Sequence, residues 1–372
     1  MKRSSAGNLK IPRTVRSARR SRRPDGEFRD PGLPGIRCNP ALLLCLVCMA
    51  GSTTVAGPAE RQHVLIVVGA AGTVEYGTLF CQWTERWRAA AESGDAEFRL
   101  IGLDESGDNR ESSDRESVVR ILEEWAWVST TEPLWIVLIG HGTHDGLTTR
   151  FNLRGPDITA EEVAELLSGS KRPVALMNCT SCSAPFINAV SGPDRVVITA
   201  TKDGSEYQFA RFGDAVSLAI GSLEADMDQD GQVSLLEAWA FASRRTDEFY
   251  ESAGRLATEH ALLDDNADGR GTRASVFEGV RLQPPSDQDN PDGRIARRWH
   301  LVRSEEERRL TAEQRHRRDG LEERLEELKC RREEYSEPEY LDQLETILLP
   351  LAQLYASELF SGESGQESGA AD

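Results

Sequence analysis

Residues 226–237 read Asp-Met-Asp-Gln-Asp-Gly-Gln-Val-Ser-Leu-Leu-Glu, a spacing suited to a hard divalent cation. Asp226, Asp228 and Asp230 take loop positions one, three and five, Gly231 takes six, Gln232 seven, Ser234 nine and Glu237 twelve. Calcium requires several oxygens, a backbone carbonyl at position seven, a glycine for the sharp turn and a closing bidentate Glu. All of these are present, so the segment is expected to bind Ca2+ as an EF-hand-type loop, against the plainer reading of an acidic surface loop. A second candidate begins at Asp264, with Asn266 and Asp268 at positions three and five and Gly269 at six. Its twelfth position is Ser275, which has no carboxylate. This second loop is a weak calcium site, a site completed from elsewhere, or a plain Asp/Asn/Gly turn.

A different chemistry is suggested upstream. Gly140-His141-Gly142-Thr143-His144 follows the apolar run Leu134–Ile139, and Asn178-Cys179-Thr180-Ser181-Cys182 follows Val174–Met177. A histidine and a cysteine at neighbouring strand ends could serve as acid/base and nucleophile. The same atoms allow two other readings. Cys179-x-x-Cys182 has the spacing of a thiol redox pair. His141-x-x-His144 with Cys179-x-x-Cys182 has the ligand types of a tetrahedral zinc site. Gly69-Ala70-Ala71-Gly72 lacks the glycine order of a dinucleotide loop.

These residues need a scaffold, and hydrophobic patterning supplies one. Strands are expected over His63–Val68, Phe98–Leu103, Leu134–Ile139, Val174–Met177 and Arg195–Thr199, each a short apolar run. Helices lie between them, at about Thr78–Ala91 with Leu79, Trp83 and Trp87 at spacings of four, and at Ser117–Trp127. Thr159 with Glu162 forms a capping box that starts another. Continuous apolar strands alternating with helices imply an α/β fold with a mostly parallel sheet covered on both faces. Ligands of such sheets bind beyond the carboxyl ends of the strands, where both the His and the Cys clusters fall. Further helices are expected from about Gly213 to Glu224 and from Leu235 to about Ser252, flanking the acidic loop.

At this point a family resemblance becomes specific. The stretch Ile136–Gly146, a strand running into His-Gly, followed by a strand ending in a cysteine-containing turn, resembles the caspase-like clan of cysteine peptidases. It is most similar to the legumain family, peptidase C13. Thr199-Ala200-Thr201 with Ser205-Glu206 and, more weakly, Phe212-Gly213-Asp214 extend the resemblance, which spans roughly residues 62–225. It implies a caspase-like sandwich and a cysteine endopeptidase acting on peptide or protein. By this resemblance His141 is the acid/base and the Gly142 N–H an oxyanion donor. The family's motif aligns Asn178 with its acidic residue and Thr180 with its Cys, leaving Cys179 one place early and Cys182 two late. Cys182 is favoured as nucleophile, because Pro185 suggests that it precedes a helix N-terminus, a position that lowers a thiol pKa. The competing expectation is a catalytically inactive caspase-fold module that binds calcium and a partner.

The remaining sequence sets the context. The chain has 372 residues and a net charge of −18, with 28% charged and 39% hydrophobic residues, which argues against a nucleic-acid partner. Residues 1–57 combine a basic run, an apolar stretch at Ala41–Ala50 and a small-residue end, as in a signal peptide. The apolar stretch is too short for a bilayer span, so no integral membrane span is expected in the mature chain. An extracytoplasmic location, periplasmic or secreted, is expected from that leader, against the plainer reading of a disordered basic leader on a cytoplasmic protein. Of seven cysteines, only Cys81, Cys179, Cys182 and Cys330 lie beyond it, which is no disulfide framework. The expected organisation is an α/β domain over 62–211, a calcium-binding helix–loop–helix region over 212–282, a linker over 283–304, a helical hairpin over 305–360 and a disordered tail over 361–372. In the hairpin, Leu321, Leu325 and Leu328 face Leu341, Leu344, Ile347, Leu348, Leu351 and Leu354, with one side expected to dock on the α/β domain.

Overall fold

Five short apolar runs, each followed by a turn and, in most cases, a helix, build the central sheet. The computed structural model describes residues 61–103, 112–282 and 291–363. The expected leader over 1–57, residues 283–290 of the expected linker and residues 364–372 of the expected tail lie outside the described residues, while 361–363, expected to be disordered, continue the last helix. In chain order the first elements are β1 (His63–Val68), α1 (Val74–Ser93), β2 (Glu97–Ile101), α2 (Asp114–Ala126) and β3 (Leu134–Ile139). A small antiparallel sheet of β4 (Gly142–His144), β5 (Thr149–Phe151) and β6 (Ile158–Thr159) leads into α3 (Ala160–Leu167). Then come β7 (Val174–Asn178), α4 (Pro185–Val190), β8 (Arg195–Thr199), α5 (Phe212–Ala219), α6 (Leu235–Ser252), β9 (Leu262–Asp264) and β10 (Thr272–Arg273).

The main sheet has the order β2-β1-β3-β7-β8-β9-β10. Pairing is parallel from β2 to β8 and antiparallel from β8 to β10. The fold is thus α/β with a mostly parallel sheet, as the sequence implied. One face packs on α1, α5 and α6, through Trp83, Trp87, Phe212 and Trp239. The other packs on α2, α3 and α4, through Trp125, Val163 and Phe186. Both faces are covered, which explains why β1 and β3 are apolar at nearly every position.

Helix starts follow local signals. Ser113 with Glu116, and Thr159 with Glu162, form reciprocal capping boxes at α2 and α3. The strand order reverses between β1 and β3, so the crevice beyond their carboxyl ends is the switch point of the sheet. The β1–α1 turn, at Ala71, and the end of β3, at His141, meet there.

At the C-terminus, α7 (Glu305–Arg309), α8 (Ala312–Cys330) and α9 (Glu337–Glu363) follow. Leu321, Leu328, Ile347 and Leu354 form a small core of their own, with Leu325, Leu344 and Leu351 at its edge. Leu341 and Leu348, expected on the same apolar face, are 53% and 40% exposed, because the narrow leucine stripe of α8 covers only one side of α9. The hairpin docks through charge. Glu132, buried at the foot of β3, pairs with Arg315 at 2.7 Å and with Arg303, and Arg294 reaches Glu323 at 2.8 Å. No helix among the described residues is long and apolar enough to cross a membrane.

Candidate functional site

β3 and β7 lie side by side, so His141 and the 178–182 turn emerge on the same edge of the sheet. The His141 ring is half-buried against Tyr76, Phe80 and Phe209, with centroids 5.0, 5.7 and 6.1 Å away. Its Nε2 lies 3.2 Å from the Ala71 carbonyl oxygen. That contact suits an N–H on Nε2, which fixes the ring against the β1–α1 turn.

The 178–182 turn is packed into the protein. Asn178 Oδ1 accepts from the Thr180 N–H at 3.2 Å and from its hydroxyl at 2.7 Å. The Asn178 Nδ2 is buried with no hydrogen-bond partner. The Gly142 N–H, which the resemblance assigns to the oxyanion, faces Ser181 Oγ at 3.4 Å, and that hydroxyl donates to the Gly142 carbonyl at 3.2 Å. A Cβ on Gly142 would sit 2.2 Å from the Ser181 carbonyl oxygen and 2.6 Å from Thr180 Oγ1. The turn therefore occupies one side of Gly142 closely.

Both thiols of the turn are hidden. Cys179 is 1% exposed and belongs to the core under α1 and α5, where a Cβ on Gly213 would come within 3.0 Å of its own Cβ. Burial, helped by the charge of Glu259, pushes its pKa up to about 12. Cys182 is 3% exposed, and burial raises its pKa as well, against the opposing effect of the His144 N–H on its sulfur. The direction is opposite to the lowering expected of a helix N-terminus. α4 is a short helix, and the N–H groups of Ser183 and Ala184 at its start point to Thr201 Oγ1, at 2.8 and 3.2 Å. Cys182 also holds φ +54°, a left-handed conformation uncommon outside glycine and Asn/Asp. His144 is tied by Nδ1 to Thr149 Oγ1 at 2.7 Å. All four described cysteines are free, and His141, His144, Cys179 and Cys182 form no metal-ligand cluster among the described residues. The zinc reading therefore has no geometric support.

The acidic loop is built differently. Asp226, Asp228 and Glu237 bring carboxylate oxygens within 4.8 Å of one another, the one such group among the described residues. Asp226 accepts from the Asp230 and Gly231 N–H groups, at 3.2 and 3.0 Å, while Gly231 takes φ +85° to make the turn. Asp230 Oδ1 accepts from the Gln232 N–H at 3.1 Å. Glu237 has two jobs. Its Oε2 closes the capping box of α6 with Ser234, and its Oε1 accepts from the Met227 and Asp228 N–H groups at 2.7 and 3.2 Å. Burial, then the charges of Glu237 and Asp230, raises the pKa of Asp228. Crowded like charges of this kind are what a bound cation relieves, so the donor set fits calcium.

In the second loop, Asp264 is 1% exposed and Asp265 4%, while Asn266 and Asp268 lie nearer the surface. Burial pushes the Asp264 carboxyl up to about 6, with the neighbouring Asp268 and Asp265 adding to the rise.

Of the residues that shape these sites, Glu259 carried no sequence signal, while the resemblance included Thr201 and Glu206 without giving either a role. Thr201, just past the end of the neighbouring strand β8, accepts from the Ser183 and Ala184 N–H groups that precede α4. Glu259 is 1% exposed and accepts from the Arg211 and Phe212 N–H groups at the start of α5 and from the Tyr250 hydroxyl. Glu206 pairs with His260 and accepts from the Lys202 N–H at 2.9 Å. Each acts on residues distant in the chain.

No protein-family model matches the chain, and neither does any curated protein. Solved structures that are similar to it in part include the following three. The protein GSU0716 from Geobacter sulfurreducens shares 10% identity at a TM-score of 0.37, over 55% of this chain and 93% of that one. The Drosophila initiator caspase Dronc shares 11% at 0.36, over 60% and 89%. Caspase-1 from Spodoptera frugiperda shares 9% at 0.36, over 58% and 90%.

Proposed function

We propose that this chain is a caspase/legumain-like α/β domain that has lost cysteine-peptidase chemistry and serves as a calcium-stabilised interaction module. The observation that carries this reading is the state of the two thiols beside His141. A nucleophilic cysteine must ionise and meet its substrate, and burial here opposes both for Cys179 and Cys182. The oxyanion donor is also engaged, since Ser181 Oγ faces the Gly142 N–H. Calcium at Asp226, Asp228, Asp230, Gln232, Ser234 and Glu237 would fix the entry of α6 into the core. The basic leader favours an extracytoplasmic setting, where calcium is abundant and modest affinity suffices.

A legumain-like endopeptidase using His141 with Cys182 is the second reading. It is favoured by the φ of +54° at Cys182, because backbone strain of this kind gathers at functional sites. Alkylation separates the two. Treated with iodoacetamide near neutral pH, the folded protein is expected to be modified at the exposed Cys81 and Cys330, and at Cys179 and Cys182 only after unfolding. Selective labelling of Cys182 or Cys179 in the folded state, lost in His141→Ala, would restore the peptidase reading.

A further inference from the structure

The second acidic loop lacks a carboxylate at its twelfth position, yet the structure supplies one from elsewhere. In the first loop the closing residue, Glu237, accepts from the N–H groups of positions two and three and from the hydroxyl of position nine, Ser234. In the second loop positions two and three are Asp265 and Asn266, and position nine is Thr272. All three donate to one side chain, Asp292: the Asp265 and Asn266 N–H groups to Oδ1 at 2.9 and 3.3 Å, and the Thr272 hydroxyl to Oδ2 at 2.6 Å. The backbones correspond as well. Position four has φ +62° at Gln229 and +67° at Ala267, and position six has φ +85° at Gly231 and +70° at Gly269. Position five accepts from the N–H of position seven in both loops, at 3.1 and 2.7 Å.

A plain turn would explain this geometry but not the state of Asp264. Position one is 1% exposed, and neither of its carboxylate oxygens has a hydrogen-bond partner. The Ser191 hydroxyl and the Asp268 N–H face it without completing a bond. The charge of Asp268 acts on Asp264, and that of Asp264 on Asp292, but the three carboxylates do not converge within 4.8 Å as those of the first loop do, so a cation would have to draw them together. Leaving a buried carboxylate unpaired is costly, and a cation is the partner that all three would accept.

We propose that Asp264, Asn266, Asp268 and Asp292 form a second calcium site, in which Asp292 takes the part that Glu237 takes in the first. An all-oxygen set of irregular geometry suits calcium over magnesium. Three carboxylates and an amide, against four carboxylates in the first loop, make this the weaker site. Occupancy would clamp the antiparallel edge β9–β10 to the segment leading into the C-terminal helices.

The test is a calcium count on the full chain by equilibrium dialysis after chelation, beside melting curves in chelator. Wild type is expected to hold about two equivalents, and Asp264→Asn and Glu237→Gln about one each. In chelator, Asp264→Asn should melt at or above the wild-type temperature, because it removes an unpaired buried charge. An unchanged calcium count in Asp264→Asn, or a lower melting temperature in chelator with that count unchanged, overturns the second site. A wild-type count of about one that Glu237→Gln abolishes also overturns it while sparing the first loop. A wild-type count of about one that survives Glu237→Gln and is lost in Asp264→Asn spares the second site and removes the first.

Discussion

The strand-end turn at Asn178–Cys182 and the acidic loop at Asp226–Glu237 both carry residues able to do chemistry, but their surroundings differ. In the turn, the reactive groups are sealed in: Cys179 lies in the core, and Ser181 faces the Gly142 N–H. In the loop, the carboxylates of Asp226, Asp228 and Glu237 converge within 4.8 Å of one another. One cluster has its thiols shut away from solvent, and the other gathers like charges that a cation would relieve. The difference teaches that residue type nominates a site, while desolvation and unmet charge decide whether it can act.

The largest test of that contrast is calcium. Added in about hundredfold excess over its dissociation constant to chelated protein, calcium should stabilise by ~3 kcal/mol per site. For a domain of this size that is several degrees in melting temperature. Glu237→Gln should abolish the first loop's share, since it deletes both the bidentate ligand and part of the α6 cap. Identical melting curves with calcium and with chelator would mean that the loop needs no cation.

Gly142→Ala comes next. If the space beside Gly142 is filled by the turn, the new Cβ must displace the Ser181 carbonyl, at an expected cost of ~1–3 kcal/mol. Urea denaturation measures it. A neutral result would mean that the turn yields easily, leaving room for a substrate carbonyl.

Much of this arrangement was legible in the sequence, and what was legible was local. His63–Val68, Leu134–Ile139 and Arg195–Thr199 are strands with the bounds their apolar runs suggested, and the Thr159–Glu162 capping box forms. Such signals lie within one turn or one strand of the residue they specify. The expectation for Cys182 rested on more than its own neighbourhood. Pro185 correctly marked the start of α4, but the N–H groups ahead of it are taken by Thr201, just past the end of the neighbouring strand β8, and Cys182 is buried. Asp292 was hidden for the same reason: it closes a loop that starts at Asp264 from well outside the loop's own twelve positions. Motif spacing cannot register a partner that only the fold brings near.

The smallest expected effect belongs to Thr180, which stands where the resembling family places its nucleophile. Thr180→Cys keeps the side chain's size but trades a strong hydroxyl donor to Asn178 Oδ1 for a weak thiol, at a cost of ~1 kcal/mol. The position is 1% exposed, so the new sulfur would be as desolvated as Cys179. We therefore expect Thr180→Cys to remain unlabelled by iodoacetamide in the folded state and to cleave no peptide substrate. If surroundings decide function, restoring the letter should restore nothing. Labelling at position 180 that disappears in the double variant with His141→Ala would break the comparison, because one substitution, and not the burial of the whole turn, would then separate this chain from an active cysteine site.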